Sequence, residues 1–154
     1  MLGKVEGFFH GGITVRDMDE SLAFYLDALG LEVYFDRVLD GNFLREALNL
    51  KFKEMRVVYL SIPGGGFVEL LEYRDIERFS ASSRPCDFGG GHFCLYVSDI
   101  DDFATRLFKL GYRARSKSPV TITQGPNLGA RILYSLDPDG YAVELFQRPL
   151  TPSS

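Results

Sequence analysis

The second half of this chain repeats the first, and that duplication narrows the possible folds more than any other feature. Tyr59–Leu70 aligns without gaps on Tyr134–Leu145: Tyr59 falls on Tyr134, Pro63 on Pro138 and Gly65 on Gly140. Val68-Glu69-Leu70 falls on Val143-Glu144-Leu145. Upstream, the segment from His10 through Val15 and Asp17 to Asp19 falls on the segment from His92 through Val97 and Asp99 to Asp101. The chain has two histidines, and they occupy the same place in the two copies. Each copy opens on a histidine and closes on a glutamate.

The local patterns make each copy a strand, a helix and three further strands. Phe8–Val15 alternates, with His10, Gly12 and Thr14 on one face and Phe9, Gly11, Ile13 and Val15 on the other. Asp17 caps a helix, with Glu20 three residues on; Met18, Leu22, Tyr25, Leu26 and Leu29 recur at helical spacing, and Gly30 ends it. Leu31–Val38, Val57–Ile62 and Phe67–Tyr73 are expected strands. Asp40–Glu54 is an insertion with a short helical stretch at Phe43–Leu48, and Pro63–Gly66 is a turn. The pattern restarts with a strand at Gly91–Val97. Asp99 then caps a helix with Ile100, Phe103, Ala104, Leu107 and Phe108 as its buried stripe, and Gly111 ends it. Tyr112–Ser116, Ile132–Leu136 and Tyr141–Gln147 complete the second set of strands, with Ser118–Asn127 a loop and Asp137–Gly140 a turn. Module 1 is therefore expected at about 6–74, a linker at about 75–89, module 2 at about 90–149 and a tail at 150–154, all within one α+β domain. With the helices on one face of each sheet, the other faces are free to curl round a common hollow.

At 154 residues the chain is long enough to bury a core. Its net charge of −4, with no basic patch, argues against nucleic acid or an anionic membrane as partner. No stretch approaches membrane-spanning length, and nothing at the N-terminus resembles an export signal. Cys86 and Cys94 form no disulfide framework, so free thiols in a reducing, cytoplasmic setting are expected.

Strand parity sharpens the functional expectation. Glu69 shares a face with Phe67 and Leu71, opposite Val68 and Leu70; Glu144 shares a face with Ala142 and Phe146, opposite Val143 and Leu145. His10 and His92 lie opposite the aliphatics of their own strands. All four can project into one hollow, where a carboxylate is costly to bury without a cation or a donor. Any one of the four alone would be read as packing or as facing solvent. In register within a duplication, His10, Glu69, His92 and Glu144 make a set of metal ligands. Two imidazoles and two carboxylates suit Zn, Ni, Co, Mn or Fe(II), and affinity order does not choose among them.

These motifs resemble the vicinal oxygen chelate superfamily, which includes glyoxalase I, methylmalonyl-CoA epimerase, extradiol dioxygenases and the bleomycin and fosfomycin resistance proteins. The likeness rests on His10-x-x-Ile-x-Val with Asp17 after it, on Gly91-His92-x-x-Leu-x-Val-x-Asp99, and on Asp137-Pro138-Asp139-Gly140-x-x-Val-Glu144-Leu145, and it covers nearly the whole chain. It implies paired βαβββ modules forming a curved, half-barrel-like mixed sheet round a metal cavity, with His10, Glu69, His92 and Glu144 as ligands. It also implies a homodimer as the assembly.

Four protein ligands on an octahedral ion leave two positions for adjacent oxygens of a small-molecule substrate. The implied chemistry is that of a metal-dependent lyase or isomerase/epimerase acting on an α-hydroxycarbonyl or acyl-thioester compound through an enediolate. In relatives of that kind the position of Glu144 is the favoured base, with that of Glu69 facing it. The chief alternative is an extradiol dioxygenase using Fe(II). It needs two histidines and one carboxylate, and usually a further histidine that this chain lacks. The other alternative is a non-catalytic binding protein of the resistance type, which has no need of all four ligands. Tyr59, Tyr96 and Tyr134 are read as packing. The Asp40–Glu54 insertion and the Ser118–Asn127 loop are expected to border the cavity mouth and set specificity.

Overall fold

Alternation of apolar and polar side chains converts both copies into mixed sheets. The computed structural model describes residues 3–81 and 84–150, so the tail expected over Thr151–Ser154 lies outside the described residues. The chain divides into two compact units, one of Met1–Leu22 with Gly30–Phe79, the other of Ala23–Leu29 with Ser80–Ser154.

In the first unit β1 (His10–Thr14), β2 (Glu32–Leu39), β3 (Glu54–Ser61) and β4 (Phe67–Arg74) form a sheet in the order β1-β4-β3-β2. β1 runs parallel to β4, and the other pairs are antiparallel. Ile13, Val15, Val58, Leu60, Val68 and Leu70 are buried, as the alternation requires, and Val57 is buried on the opposite face with Phe52 and Met55. Burying each such side chain contributes about 1.5–3 kcal/mol. The short helix α1 (Met18–Leu22) is held at its start by Asp17, whose Oδ1 accepts from the Asp19 and Glu20 amides at 2.9 and 3.0 Å. Glu72 accepts from the Met18 amide at 2.9 Å. The expected reciprocal bond from Glu20 is replaced by an ion pair with Arg16 at 2.7 Å.

The insertion is ordered around α2 (Asn42–Leu48). The Arg45 guanidinium donates to the carbonyls of Asp40, Phe52 and Lys53 and to the Asn42 side chain, and it lies 5.5 Å from the centre of the Phe52 ring. Gly41 precedes the helix at φ 66°, and a Cβ there would meet the Phe52 ring at 2.8 Å. Gly41→Ala combines a left-handed backbone with that clash. It is expected to destabilise the protein by about 1–2 kcal/mol, measured by denaturant unfolding, with faster amide exchange confined to the insertion.

In the second unit β5 (His92–Tyr96), β6 (Arg113–Ala114), β8 (Arg131–Leu136) and β9 (Ala142–Gln147) run in the order β5-β9-β8-β6, and β7 (Val120–Thr121) also pairs with β8. Again the first strand is parallel to the last. Helix α3 (Ile100–Lys109) is capped by Asp99, which accepts from the Asp101 and Asp102 amides, while Gln147 accepts from the Ile100 amide at 2.8 Å. The Asp137–Gly140 turn closes with a Gly140 amide to Asp137 carbonyl bond at 3.0 Å, and Gly140 sits at φ 87°.

The structure revises several boundaries. The expected strand at Tyr112–Ser116 shrinks to two residues, and the expected loop at Ser118–Asn127 contains β7, because Val120 and Thr121 pair with Ile132 and Arg131. The first helix is α-helical only to Leu22 and continues as a π-helical segment over Ala23–Ala28. That wider turn rotates the buried stripe. Phe24, Tyr25, Ala28 and Leu29 are buried, whereas Leu22 and Leu26 are only half-buried. In α3 the stripe is Ile100, Ala104 and Leu107; Phe108 is exposed, and Phe103 is half-buried with the Arg106 guanidinium 4.5 Å from its ring centre. Both cysteines are free thiols. Among the described residues no helix is long and apolar enough to cross a membrane.

Candidate metal centre

Parallel pairing of first and last strands sets each histidine beside the glutamate of its own unit. In the first unit His10 lies opposite Phe67 and Gly12 opposite Glu69, so the imidazole reaches diagonally to the carboxylate, with Nε2 3.2 Å from Oε2. In the second unit His92 lies opposite Ala142 and Cys94 opposite Glu144, and Nε2 is 3.0 Å from Oε2. The same diagonal contact is thus built twice. The carboxylates are the more enclosed partners, 14 % and 12 % exposed against 31 % for His10 and 41 % for His92.

A tyrosine backs each pair from the neighbouring strand. Tyr59 pairs with Glu69 and Tyr134 with Glu144 in the antiparallel register. Their rings meet the imidazoles edge-on, with centroids 5.7 Å apart for His10–Tyr59 and 5.0 Å for His92–Tyr134. Desolvation first, then the neighbouring glutamate, pushes Tyr59 and Tyr134 up to about 12. Both tyrosines are therefore neutral at physiological pH. Cys94 faces Glu144 across the ladder, and desolvation together with the carboxylate's charge pushes its thiol up to about 11.

Each pair offers an imidazole nitrogen and a carboxylate oxygen, donor types that divalent ions take. Imidazole nitrogens and carboxylate oxygens bind such ions at about 2.0–2.2 Å, so two of them at right angles lie about 3 Å apart. The observed 3.2 and 3.0 Å match that spacing. The same contacts serve as hydrogen bonds when Nε2 carries a proton. The His10 Nδ1 is buried with no hydrogen-bond partner among the described residues. Each unit brings together one imidazole and one carboxylate; among the described residues no group of three or more His, Cys, Asp or Glu side chains is gathered as a metal site.

Two features went beyond the sequence reading. Tyr59 and Tyr134, treated there as packing, lie on the glutamates; their alignment in the duplication, ten residues before each glutamate, was the available signal. Cys94 was read only as a strand residue. Its place two residues after His92, where the first copy has Gly12, sets it facing Glu144. Tyr96 is exposed, with the Arg148 guanidinium 3.8 Å from its ring centre, and it joins neither pair.

Comparison with known proteins bears on the family and the fold. The family model of the Glyoxalase/Bleomycin resistance protein/Dioxygenase superfamily matches residues 7–145. A 2-epi-5-epi-valiolone epimerase from Actinomyces is 31% identical over 144 residues, covering 91% of this chain and 78% of the relative. The lactoylglutathione lyase of Arabidopsis thaliana is 28% identical over 94% of this chain, which spans only 45% of that enzyme's length. Among solved structures, a glyoxalase family protein from Bacillus cereus superposes with a TM-score of 0.78 at 19% identity, over 96% of this chain and 97% of that one. A glyoxalase I variant from Zea mays gives 0.69 at 23% identity, over 94% of this chain and 46% of that one. With the duplicated sheets and the family match extending over nearly all of its length, the chain belongs to the Glyoxalase/Bleomycin resistance protein/Dioxygenase superfamily.

Proposed function

We propose that this protein is a divalent-metal-dependent lyase or epimerase acting on a small α-hydroxycarbonyl or acyl-thioester substrate. In this reading His10, Glu69, His92 and Glu144 hold one ion, within one chain or between two copies in a homodimer. The observation that carries it is the twofold occurrence of an imidazole–carboxylate contact at ligand spacing, each backed by a tyrosine ring. The epimerase and lyase names of two relatives support the same class.

An ion held by these residues would supply Lewis acidity toward adjacent substrate oxygens, which acidifies the carbon α to the carbonyl. The chain's own groups do the rest. One carboxylate takes the proton from the carbon α to a carbonyl, and the C–H electron pair passes toward the carbonyl oxygen. Delivery of a proton to the opposite face of the same carbon by the other glutamate, in its protonated form, inverts it; return of the first proton to the neighbouring carbon isomerises the substrate. Tyr59 and Tyr134 lie beside the carboxylates and remain protonated themselves. Enclosure of both carboxylates keeps water from competing for the proton.

Elemental analysis of purified protein and deuterium exchange test this directly. Purified protein is expected to hold one divalent ion for each set of four ligands. In D2O it should wash deuterium into the α-position of dihydroxyacetone or of an acyl thioester. Dialysis against a chelator should stop the exchange, and added Co(II) or Zn(II) should restore it. Oxygen consumption with a catechol in place of exchange would overturn the reading, as would tight binding of small molecules by protein free of metal.

A further inference from the structure

Strand β6 and the residues after it reverse the charge of their counterpart in the first copy. Aligning Gly111 on Gly30, the glycines that follow the two helices, sets Arg113, Arg115 and Lys117 where the first copy has Glu32, Tyr34 and Asp36. The repeated fold therefore does not require cations at these places. All three are exposed, while Tyr112, Ala114 and Ser116 between them are half-buried. Several arginines elsewhere are held by acids: Arg16 by Glu20, Arg56 by Asp19 and Asp36, Arg74 by Glu54 and Glu72, and Arg131 by Asp101. The side chains of Arg113 and Lys117 have no ion-pair or hydrogen-bond partner among the described residues. Both line a cavity of about 370 Å³ that has Phe108 and Tyr112 on its walls. β6 is the last strand of its sheet. The Arg115 amide donates to the Tyr134 carbonyl at 2.9 Å, and alternate amides of a strand point to opposite sides, so those of Ala114 and Ser116 point to the open edge. The Ser116 hydroxyl donates to the Ser118 carbonyl at 2.8 Å, which fixes the bend that carries Lys117.

We propose that this cavity binds an organic diphosphate, with Arg113, Lys117 and the edge amides of Ala114 and Ser116 on the phosphate oxygens and the Phe108 and Tyr112 rings beside the organic part. Four residues of extended chain separate the two cations by roughly 13 Å at the backbone, a span that two long side chains close over adjacent phosphates better than over one. Charge-assisted bonds from a guanidinium and an ammonium, joined by backbone amides, are the chemistry that recognises phosphate. The site lies within the second unit and uses no member of the two imidazole–carboxylate pairs, so it stands apart from the metal-dependent reading.

Titration of the full chain with ADP, followed by calorimetry and by amide NMR shifts, tests the site. Saturable binding is expected, with the largest shifts at Ala114 and Ser116. Arg113→Ala and Lys117→Ala should each weaken it about tenfold, the loss of one charge-assisted contact. Arg113→Glu, which gives this position the charge of Glu32 in the first copy, should abolish it. Adenosine, with the same ring and no phosphate, should bind roughly tenfold more weakly or not at all. Arg84→Ala removes an exposed cation outside the cavity and should leave ADP affinity unchanged. All of these variants replace exposed side chains, so an unchanged Tm is expected and separates lost binding from lost folding. No saturable binding of ADP, shifts confined to residues away from β6, or wild-type affinity in Arg113→Ala and Lys117→Ala would overturn the site. So would an equal loss from Arg84→Ala, or adenosine binding as tightly as ADP. None of these outcomes touches the metal-dependent reading, which rests on other residues.

Discussion

Glu144→Gln is expected to lower turnover by about 10²–10⁴-fold while the protein still folds, whichever part Glu144 plays in the site. The amide keeps the shape of the side chain and one oxygen acceptor, so its packing against Tyr134 and Cys94 is kept. What it loses is charge. As base it no longer takes a proton, and as ligand it no longer neutralises a divalent ion. Val143 and Leu145, which flank it, are fully buried on the opposite face and anchor β9 irrespective of the substitution. Steady-state kinetics on any substrate found by deuterium exchange, with thermal unfolding as control, read the effect. Near-wild-type turnover in this variant would remove Glu144 from the site altogether.

The largest stability effect is expected at Asp137, which is 3 % exposed at the turn between β8 and β9. Its carboxylate accepts from the Tyr25 hydroxyl at 3.1 Å, the Asp139 amide at 3.0 Å and the Tyr141 amide at 2.8 Å. Asp137→Ala leaves those three donors unpaired, one of them on a fully buried tyrosine, and is expected to cost about 2–4 kcal/mol. Asp137→Asn, which keeps an acceptor oxygen, should cost less than half of that in urea unfolding. Burial raises the Asp137 carboxyl above its ordinary value despite its donors, and burial together with that carboxylate raises Tyr25. The sign follows from linkage. An acid whose folded value is raised binds its proton more tightly in the native state, so its contribution is largest below the ordinary carboxylate value and is lost as pH rises through the raised one. The wild type should therefore lose stability relative to Asp137→Asn across that window. A cost for Asp137→Ala within 0.5 kcal/mol of zero, about the effect of an ordinary surface substitution, would show that water replaces the network.

Much of the fold and the core of the site were legible along the chain. Alternation placed Ile13, Val15, Val68, Leu70, Val143 and Leu145 on buried faces, because a strand's side chains point to opposite sides in turn. The duplication put His10, Glu69, His92 and Glu144 forward as one ligand set, of which the structure brings each histidine to the glutamate of its own copy, and Asp17 and Asp99 marked both helix starts. What could not be read locally was anything set by register between strands distant in sequence. Cys94 and Glu144 are fifty residues apart in the chain, and only the parallel pairing of β5 with β9 makes them neighbours. Likewise, nothing in the spacing of Tyr59 and Tyr134 sets them beside the glutamates until the antiparallel pairing is known. The π-helical segment at Ala23–Ala28 was invisible for a related reason, since a sequence stripe assumes a constant turn and packing chose a wider one. Chain order alone therefore determined the residue types of each copy and the strand face each occupies. Which side chains surround each carboxylate was decided by tertiary pairing, because strand register acts across the sheet and not along the strand.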